Sequence, residues 1–377
     1  MSTIQDIIEL RHTLHQHPEL SNREKQTSAR IREFVQRYHP DKTIDISHTG
    51  KAFVFEGKHP GPTVMFRAEL DALPIPEHTD VPYASQNDGV SHACGHDGHM
   101  SMVAGLAPFI AENRPEKGRA ILLFQPAEEV EQGARDVVES AAFADIAPDY
   151  IFGLHNIPGI PKGEIVLRKG TFSAASKGMI IRLTGKTSHA AEPENGISPV
   201  RAIEQIIHGL SEIAENKSAF SNLALLTIVH IRMGEVTFGT TPGDAEVMVT
   251  LRAYENNDMQ KMTRLAEQVV EKAADSKRLK HVISYIEDFP ALVNDDQCVD
   301  MLEDAARKTG LTFGYREQPF KWSEDFSYYT QKYKGGFFGL GSGPGQPQLH
   351  NPEFNFPDDI LGAGMNIFQV LYKMLLT

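Results

Sequence analysis

Short apolar runs separated by segments of helical periodicity constrain this chain more than any other feature. Ala52-Phe53-Val54-Phe55, Thr63-Val64-Met65-Phe66, Ala120-Ile121-Leu122-Leu123-Phe124 and Tyr150-Ile151-Phe152-Gly153-Leu154 read as strands. A helix pattern opens the chain at Ile4, Ile7, Ile8, Leu10 and Leu14 and ends near Pro18, because proline cannot continue a helix. A second spans about Glu24 to Tyr38, and a third follows residues 92–99 and runs through Val103, Leu106 and Ile110. Strands alternating with helices give an α/β fold, a mainly parallel sheet with helices on both faces. Active-site residues in such sheets gather beyond the C-terminal ends of strands. Asp71, Glu128, Glu129 and His155 all lie at or after such an end.

The pattern changes near Ser176. Strand-like Met179–Leu183, helical Ser198–Ile213, strands Leu225–Ile231 and Ala245–Leu251, a helix over Met259–Ala274 and a strand over His281–Ile286 follow in turn. This β-α-β-β-α-β order is that of a small split βαβ, ferredoxin-like α+β domain. We therefore expect a catalytic domain in two parts, 1–176 and 290–377, interrupted by a lid and dimerisation domain at 177–289.

A length of 377 residues suits two cores, and a formal charge of -13 argues against gripping nucleic acid or an anionic membrane. No apolar run approaches the ~20 residues that span a bilayer. The N-terminus lacks the basic and apolar regions of a secretory signal, and two cysteines make no disulfide scaffold, so the expected setting is cytoplasmic and reduced.

The densest chemistry is Ser91-His92-Ala93-Cys94-Gly95-His96-Asp97-Gly98-His99, a thiol, three imidazoles and a carboxylate in nine residues. Those side chains bind borderline-soft divalent metals. Glu128-Glu129, His155 and His350 supply more ligand types, and the whole points to metal-activated water and hydrolysis.

Seven motifs in order resemble the M20 family of metallopeptidases and amidohydrolases: Arg11–Leu20, Arg67–Ile75, the His92–His99 cluster, Glu128-Glu129, Gly185–Pro193, Ser323–Phe326 and Leu349–Pro352. The branch they resemble includes hippurate hydrolase, auxin-conjugate amidohydrolases and N-acetyl-diaminopimelate deacetylase. The resemblance implies Cys94, His96, Glu129, His155 and His350 as metal ligands, and Glu128 as general base and acid. Five ligands exceed the need of one tetrahedral ion, so two divalent ions are expected, with zinc, manganese, cobalt and nickel all suited. The resemblance also makes Asp71 a residue that orients a ligand and His189 a donor to the carbonyl oxygen, in cis or from a partner subunit. Arg252 matches a lid arginine that grips a substrate carboxylate.

Two departures mark this chain. Glu69 stands where aminopeptidases of the family have a histidine ligand, which favours the amidohydrolase branch. Gly239 replaces a substrate-contacting asparagine, which leaves the substrate open. Asp97 is a candidate to hold a ligand imidazole and His99 to open the next helix; neither they nor His92 and Asp325 are expected ligands. His12, His15 and His17 read as solvated or structural, and Cys298 as core. The expected activity is hydrolysis of the amide of an N-acyl (acetyl or benzoyl type) amino acid, in a monomer or a homo-oligomer paired through the lid. The competing readings are a dipeptidase or carboxypeptidase of the same family, an inactive metal- or ligand-binding protein, and a redox role for Cys94 with Cys298.

Overall fold

In the computed structural model, which describes residues 4–377, the apolar runs form the middle of an eight-stranded sheet. Its order is Lys42–Ile46, Gly50–Glu56, Lys117–Gln125, His59–Glu69, Tyr150–Pro158, Lys334–Gly343, Ile165–Leu167, Phe313–Tyr315. The three pairings joining Lys117–Gln125, His59–Glu69, Tyr150–Pro158 and Lys334–Gly343 are parallel, as is that of Ile165–Leu167 with Phe313–Tyr315. The remaining three are antiparallel. Phe66, Leu122, Phe124 and Phe152 share one core with Leu10 and Leu14, Met102, Val299 and Phe368 from four helices. Alternate residues of the same strands, Met65, Ile121 and Leu123, are buried on the opposite face, where Gly133–Glu139, Ala141–Ala144 and Ser327–Thr330 lie. Two buried faces explain why these strands read as unbroken apolar runs.

The chain divides into two compact units. The larger takes the chain up to Phe172, with Val293–Gln318 and Asp325–Thr377; the other is Ser173–Leu292 with Pro319–Glu324. The smaller unit is an antiparallel sheet in the order Ala224–Met233, Asp244–Ala253, Ala175–Thr184, Lys280–Phe289. Along Asp244–Ala253 every second residue is buried, the period-2 signature of a sheet with one covered face. Helices Val200–Glu215 and Asn256–Ser276 cover it with Ile203, Ile206, Leu210, Met262, Ala266 and Val270.

The helix after the ligand cluster differs from the expectation. It is two helices, His96–Ala104 and Leu106–Glu112, with the break at Gly105 and Pro108 in the first turn of the second. Proline lacks the N–H that a continuous helix requires there.

Candidate metal centre

Four separate segments of the larger unit bring their side chains together. Gly95 adopts φ +92 just before helix His96–Ala104, and a Cβ there would lie 2.3 Å from Asn156 Oδ1, so both backbone and space demand glycine. That turn presents Cys94 and His96 side by side. Strand Tyr150–Pro158 carries His155, whose Nε2 is 3.3 Å from Cys94 Sγ. Glu128 and Glu129 follow strand Lys117–Gln125 in a turn rather than on the strand, so both reach one place: Glu128 Oε2 is 3.9 Å and Glu129 Oε1 3.8 Å from His96 Nε2. His350 comes from far along the chain, with Nε2 3.6 Å from Glu129 Oε2. It sits at φ +62, and its N–H donates to Ala93 O at 2.9 Å.

Ligand atoms form several overlapping groups within 4.8 Å, among them His96–Glu128–Glu129 and the two triads Cys94–His96–His155 and Cys94–Glu129–His350, which share the thiol. Buried His96 Nε2 and Glu129 Oε1 have no hydrogen-bond partner, which buried polar atoms rarely tolerate. Burial pushes the Cys94 thiol well up, and the Glu129 and Glu128 carboxylates push the same way. Burial disfavours the charged form of His96, yet contact with Asp71 and the carboxylates of Glu69 and Glu129 raise it to about 10. Burial lifts Glu129 to about 7 against the pull of His96. Besides burial, neighbouring carboxylates raise both Cys94 and His96. Burial and the neighbouring His99 and His96 hold His155 neutral, the form that ligates, and the half-exposed His350 is also shifted down. The residues therefore fit divalent ions on donor chemistry and orphaned atoms alike.

Asp71 is fully buried, but its main-chain oxygen, not its carboxylate, accepts from His96 Nδ1 at 2.9 Å; carboxylate Oδ1 stands 3.6 Å away. Oδ2 accepts from Ser21 Oγ (2.7 Å) and the Glu129 N–H (2.9 Å). Burial raises its pKa, and contacts with His96, Ser21 and the Glu129 amide outweigh that and keep it ionised. Asp97 holds no ligand imidazole. It accepts from His15 Nδ1 (2.7 Å) and Arg11 Nη1 (3.2 Å), and Arg11 also reaches Asn355 and Asp358 beyond His350. His99 lies inside its helix, bonded to Glu69 Oε2 (2.8 Å) and Asn156 Oδ1 (2.7 Å). Glu69 is further paired with Arg67, whose guanidinium also bonds Asp325 and Gln125. His92 is buried with neither ring nitrogen hydrogen-bonded, and burial keeps it neutral down to about 3.

Arg11, Glu24, Arg67 and Asn156 carry contacts that sequence reasoning did not assign. Arg11 and Arg67 lie inside the family motifs, but nothing local names their partners, which reach as far as Asn355 and Asp358 near the other end of the chain.

In the smaller unit His189 is exposed on the short strand Ser188–His189, opposite Thr240. Its Nδ1 accepts the Ala191 N–H at 3.0 Å, which leaves Nε2 to carry the ring proton of the neutral form. Arg252 Nη1 donates to Lys321 O (2.9 Å) and Ser323 Oγ (3.1 Å). Gly239 O accepts from Ala190 N–H at 3.0 Å. Cys298 is a fully buried free thiol in the core.

Residues 65–373 match the family described as Peptidase family M20/M25/M40. Over 374 residues the chain is 33% identical to an N-acetylcysteine deacetylase of Bacillus subtilis (strain 168), covering 98% of this chain and 97% of that protein. It is 31% identical over 361 residues to an N-acetyldiaminopimelate deacetylase of Lacticaseibacillus casei (strain BL23), covering 94% and 93%. A solved Bacillus subtilis structure, described as a dinuclear metal binding peptidase from the M20 family, matches with TM-score 0.84 and 30% identity. That match covers 99% of this chain and 98% of that one.

Proposed function

The chain belongs to peptidase family M20/M25/M40, and from that premise we propose a binuclear metal-dependent amidohydrolase that cleaves the amide of N-acyl amino acids. The observation that carries the reading is the pair of ligand triads sharing Cys94, with the Glu128 carboxylate 3.9 Å from His96 Nε2. Cys94, His96, Glu129, His155 and His350 would hold two divalent ions, zinc, manganese, cobalt or nickel by donor type. Bound there, the ions supply Lewis acidity and lower the pKa of water toward ~7.

Glu128 takes a proton from the attacking water and returns it to the departing amine, which leaves as the free amino acid. Asp71 holds the Glu129 amide by its carboxylate and the His96 ring by its carbonyl, so one residue aligns two ligands. His189, with its proton on Nε2, donates to the oxygen that becomes negative in the tetrahedral intermediate. Arg252 receives the substrate carboxylate. The deacetylase relatives support an acyl amino acid over a dipeptide as substrate.

Two further features complete the reading. The edge strand Ala224–Met233 exposes Val229, Ile231 and Met233, and the adjoining Val236 and Phe238 are 107% and 103% exposed. Unpaired main chain beside such apolar side chains supports a homodimer joined through this edge. Two buried free cysteines support a reducing, cytoplasmic setting, and no helix of the described residues is long and apolar enough to cross a membrane.

The test is a panel of N-acetyl and N-benzoyl amino acids and dipeptides, with metal-loaded, chelator-treated and Glu128→Gln protein. We expect acyl amino acids to be turned over, chelation to abolish turnover, and Glu128→Gln to lose at least about a hundredfold in kcat with metal retained. Turnover of dipeptides alone would replace the substrate class, and full activity in Glu128→Gln would end the assignment of the base.

A further inference from the structure

Glu24 is a fully buried carboxylate that touches no candidate metal ligand and does not cap the helix Lys25–Gln36 that it precedes. Its Oε2 accepts from Thr49 Oγ1 at 2.7 Å. Its Oε1 accepts from the Asn22 N–H at 2.8 Å and from the Ala127 N–H at 2.9 Å, 103 residues away. Ala127 has φ +54, a left-handed conformation that Cβ sterics disfavour for alanine. The next residue is Glu128. On its other side the Glu129 N–H is held by Asp71. The Ala127 carbonyl accepts from Gly133 N–H (3.1 Å), so the turn is closed behind it.

Two buried carboxylates thus grip the main-chain amides on either side of Glu128, and one of them grips a residue in a conformation that it would not keep by itself. We infer that Glu24 is a positioning residue for proton transfer: it holds Ala127 left-handed and so sets the direction in which Glu128 leaves the turn. This rests on the reading of Glu128 as the base. Without the clamp, Ala127 relaxes toward negative φ and the Glu128 carboxylate leaves its station.

The nature of the clamp makes an unusual demand on its substitutes. A glutamine at 24 keeps the function, because its oxygen can face Ala127 and Asn22 while its amide donates to the Thr49 hydroxyl, which accepts as readily as it donates. An alanine at 24 loses it. A glycine at 127 needs no clamp, since it takes positive φ without steric cost.

The experiment compares Glu24→Ala, Glu24→Gln, Glu24→Ala/Ala127→Gly and Glu128→Gln, with metal content measured for each. Glu24→Ala is expected to lower kcat by about a hundredfold, with KM changed less than about threefold and metal content intact. Glu24→Gln stays within about threefold of the parent, and Ala127→Gly in the Glu24→Ala background restores kcat by about tenfold. Amide hydrogen exchange of residues 126–133 in the metal-free chain accelerates in Glu24→Ala and not in Glu24→Gln. If Glu24→Ala does not accumulate, Thr49→Val strips one bond from the clamp. Its expected fall of about threefold is likewise recovered by Ala127→Gly. The positioning role is overturned if Glu24→Ala or Thr49→Val lowers thermal stability but leaves kcat of the folded protein unchanged. It is overturned equally if Ala127→Gly recovers nothing, or if Glu24→Gln falls as far as Glu24→Ala. Turnover retained in Glu128→Gln overturns the base assignment and this role with it; turnover lost there but kept in Glu24→Ala overturns the role alone.

Discussion

The two units bury different kinds of matter. The larger one hides Arg11, His15, Glu24, Arg67, Glu69, Asp71, Asp97 and Asp325 beneath its surface, each with partners supplied by distant segments. The smaller one packs a mostly apolar core of alternating strand residues against two helices and keeps ion pairs such as Arg182–Glu246 and Arg232–Asp244 at its surface. It too buries carboxylates, those of Asp258 and Glu324. His189 is exposed there, and no histidine of that unit is buried. Buried charge is expensive and adds little net stability over a well-packed apolar core. Its concentration around the ligand triads marks where positions had to be fixed rather than where the fold needed strength.

The sharpest way to break this contrast is to remove one cation from each unit, a buried one from the larger and an exposed one from the smaller. Arg67 holds Glu69, Asp325 and Gln125, and Arg67→Met leaves two carboxylates buried without it. We expect a loss of about 3–5 kcal/mol in unfolding free energy by urea titration. Arg182→Ala, which cuts the exposed pair with Glu246 in the smaller unit (2.8 Å), should cost under about 1 kcal/mol. Equal costs would show that the charges of the larger unit are ordinary surface pairs in disguise.

A second contrast is in pH. Burial works against the charge of His15, but Asp97 at 2.7 Å and Glu77 at 3.0 Å outweigh it and raise the group to about 9. A folded-state value above the unfolded one means that the charged ring stabilises fully below about pH 6.5 and loses that contribution as pH climbs through 9. The difference in unfolding free energy between the parent and His15→Gln should therefore shrink by roughly 2–3 kcal/mol from pH 6.5 to 9.5. A difference that stays constant across that window would mean that His15 is neutral in the folded chain.

The same division decides what could be read from the sequence. Strand alternation made the smaller unit legible: Leu225–Ile231 lies within the strand Ala224–Met233, and Met259–Ala274 within the helix Asn256–Ser276. The donor types of residues 92–99 pointed to a metal-binding cluster, because ligand chemistry is carried by the residues themselves. Other parts were hidden for physical reasons. Only Thr63–Phe66 of strand His59–Glu69 carried an apolar signal; it begins with His59-Pro60-Gly61-Pro62 and ends on the buried charges Arg67 and Glu69. Asp97 stands beside His96 in sequence yet serves His15, 82 residues away, and Glu24 serves Ala127 across 103. A partner chosen by the fold has no local pattern to betray it.

The smallest effect on stability belongs to an apolar edge that the smaller unit leaves uncovered. Ile231 is already 42% exposed on the edge strand Ala224–Met233, in line with Val229 and Met233. Ile231→Lys removes little buried surface, so the isolated chain should lose under about 0.5 kcal/mol. Lysine is also the residue that most effectively blocks edge-to-edge pairing, because an added strand would have to bury its charge. Sedimentation velocity should therefore find the parent as a dimer and Ile231→Lys as a monomer with an unchanged thermal midpoint at monomer concentrations. If the substitution leaves the sedimentation coefficient where it was, the exposed edge is not the pairing surface. A large fall in the midpoint would mean that this face is covered within the chain, and that the two units differ less than their surfaces suggest.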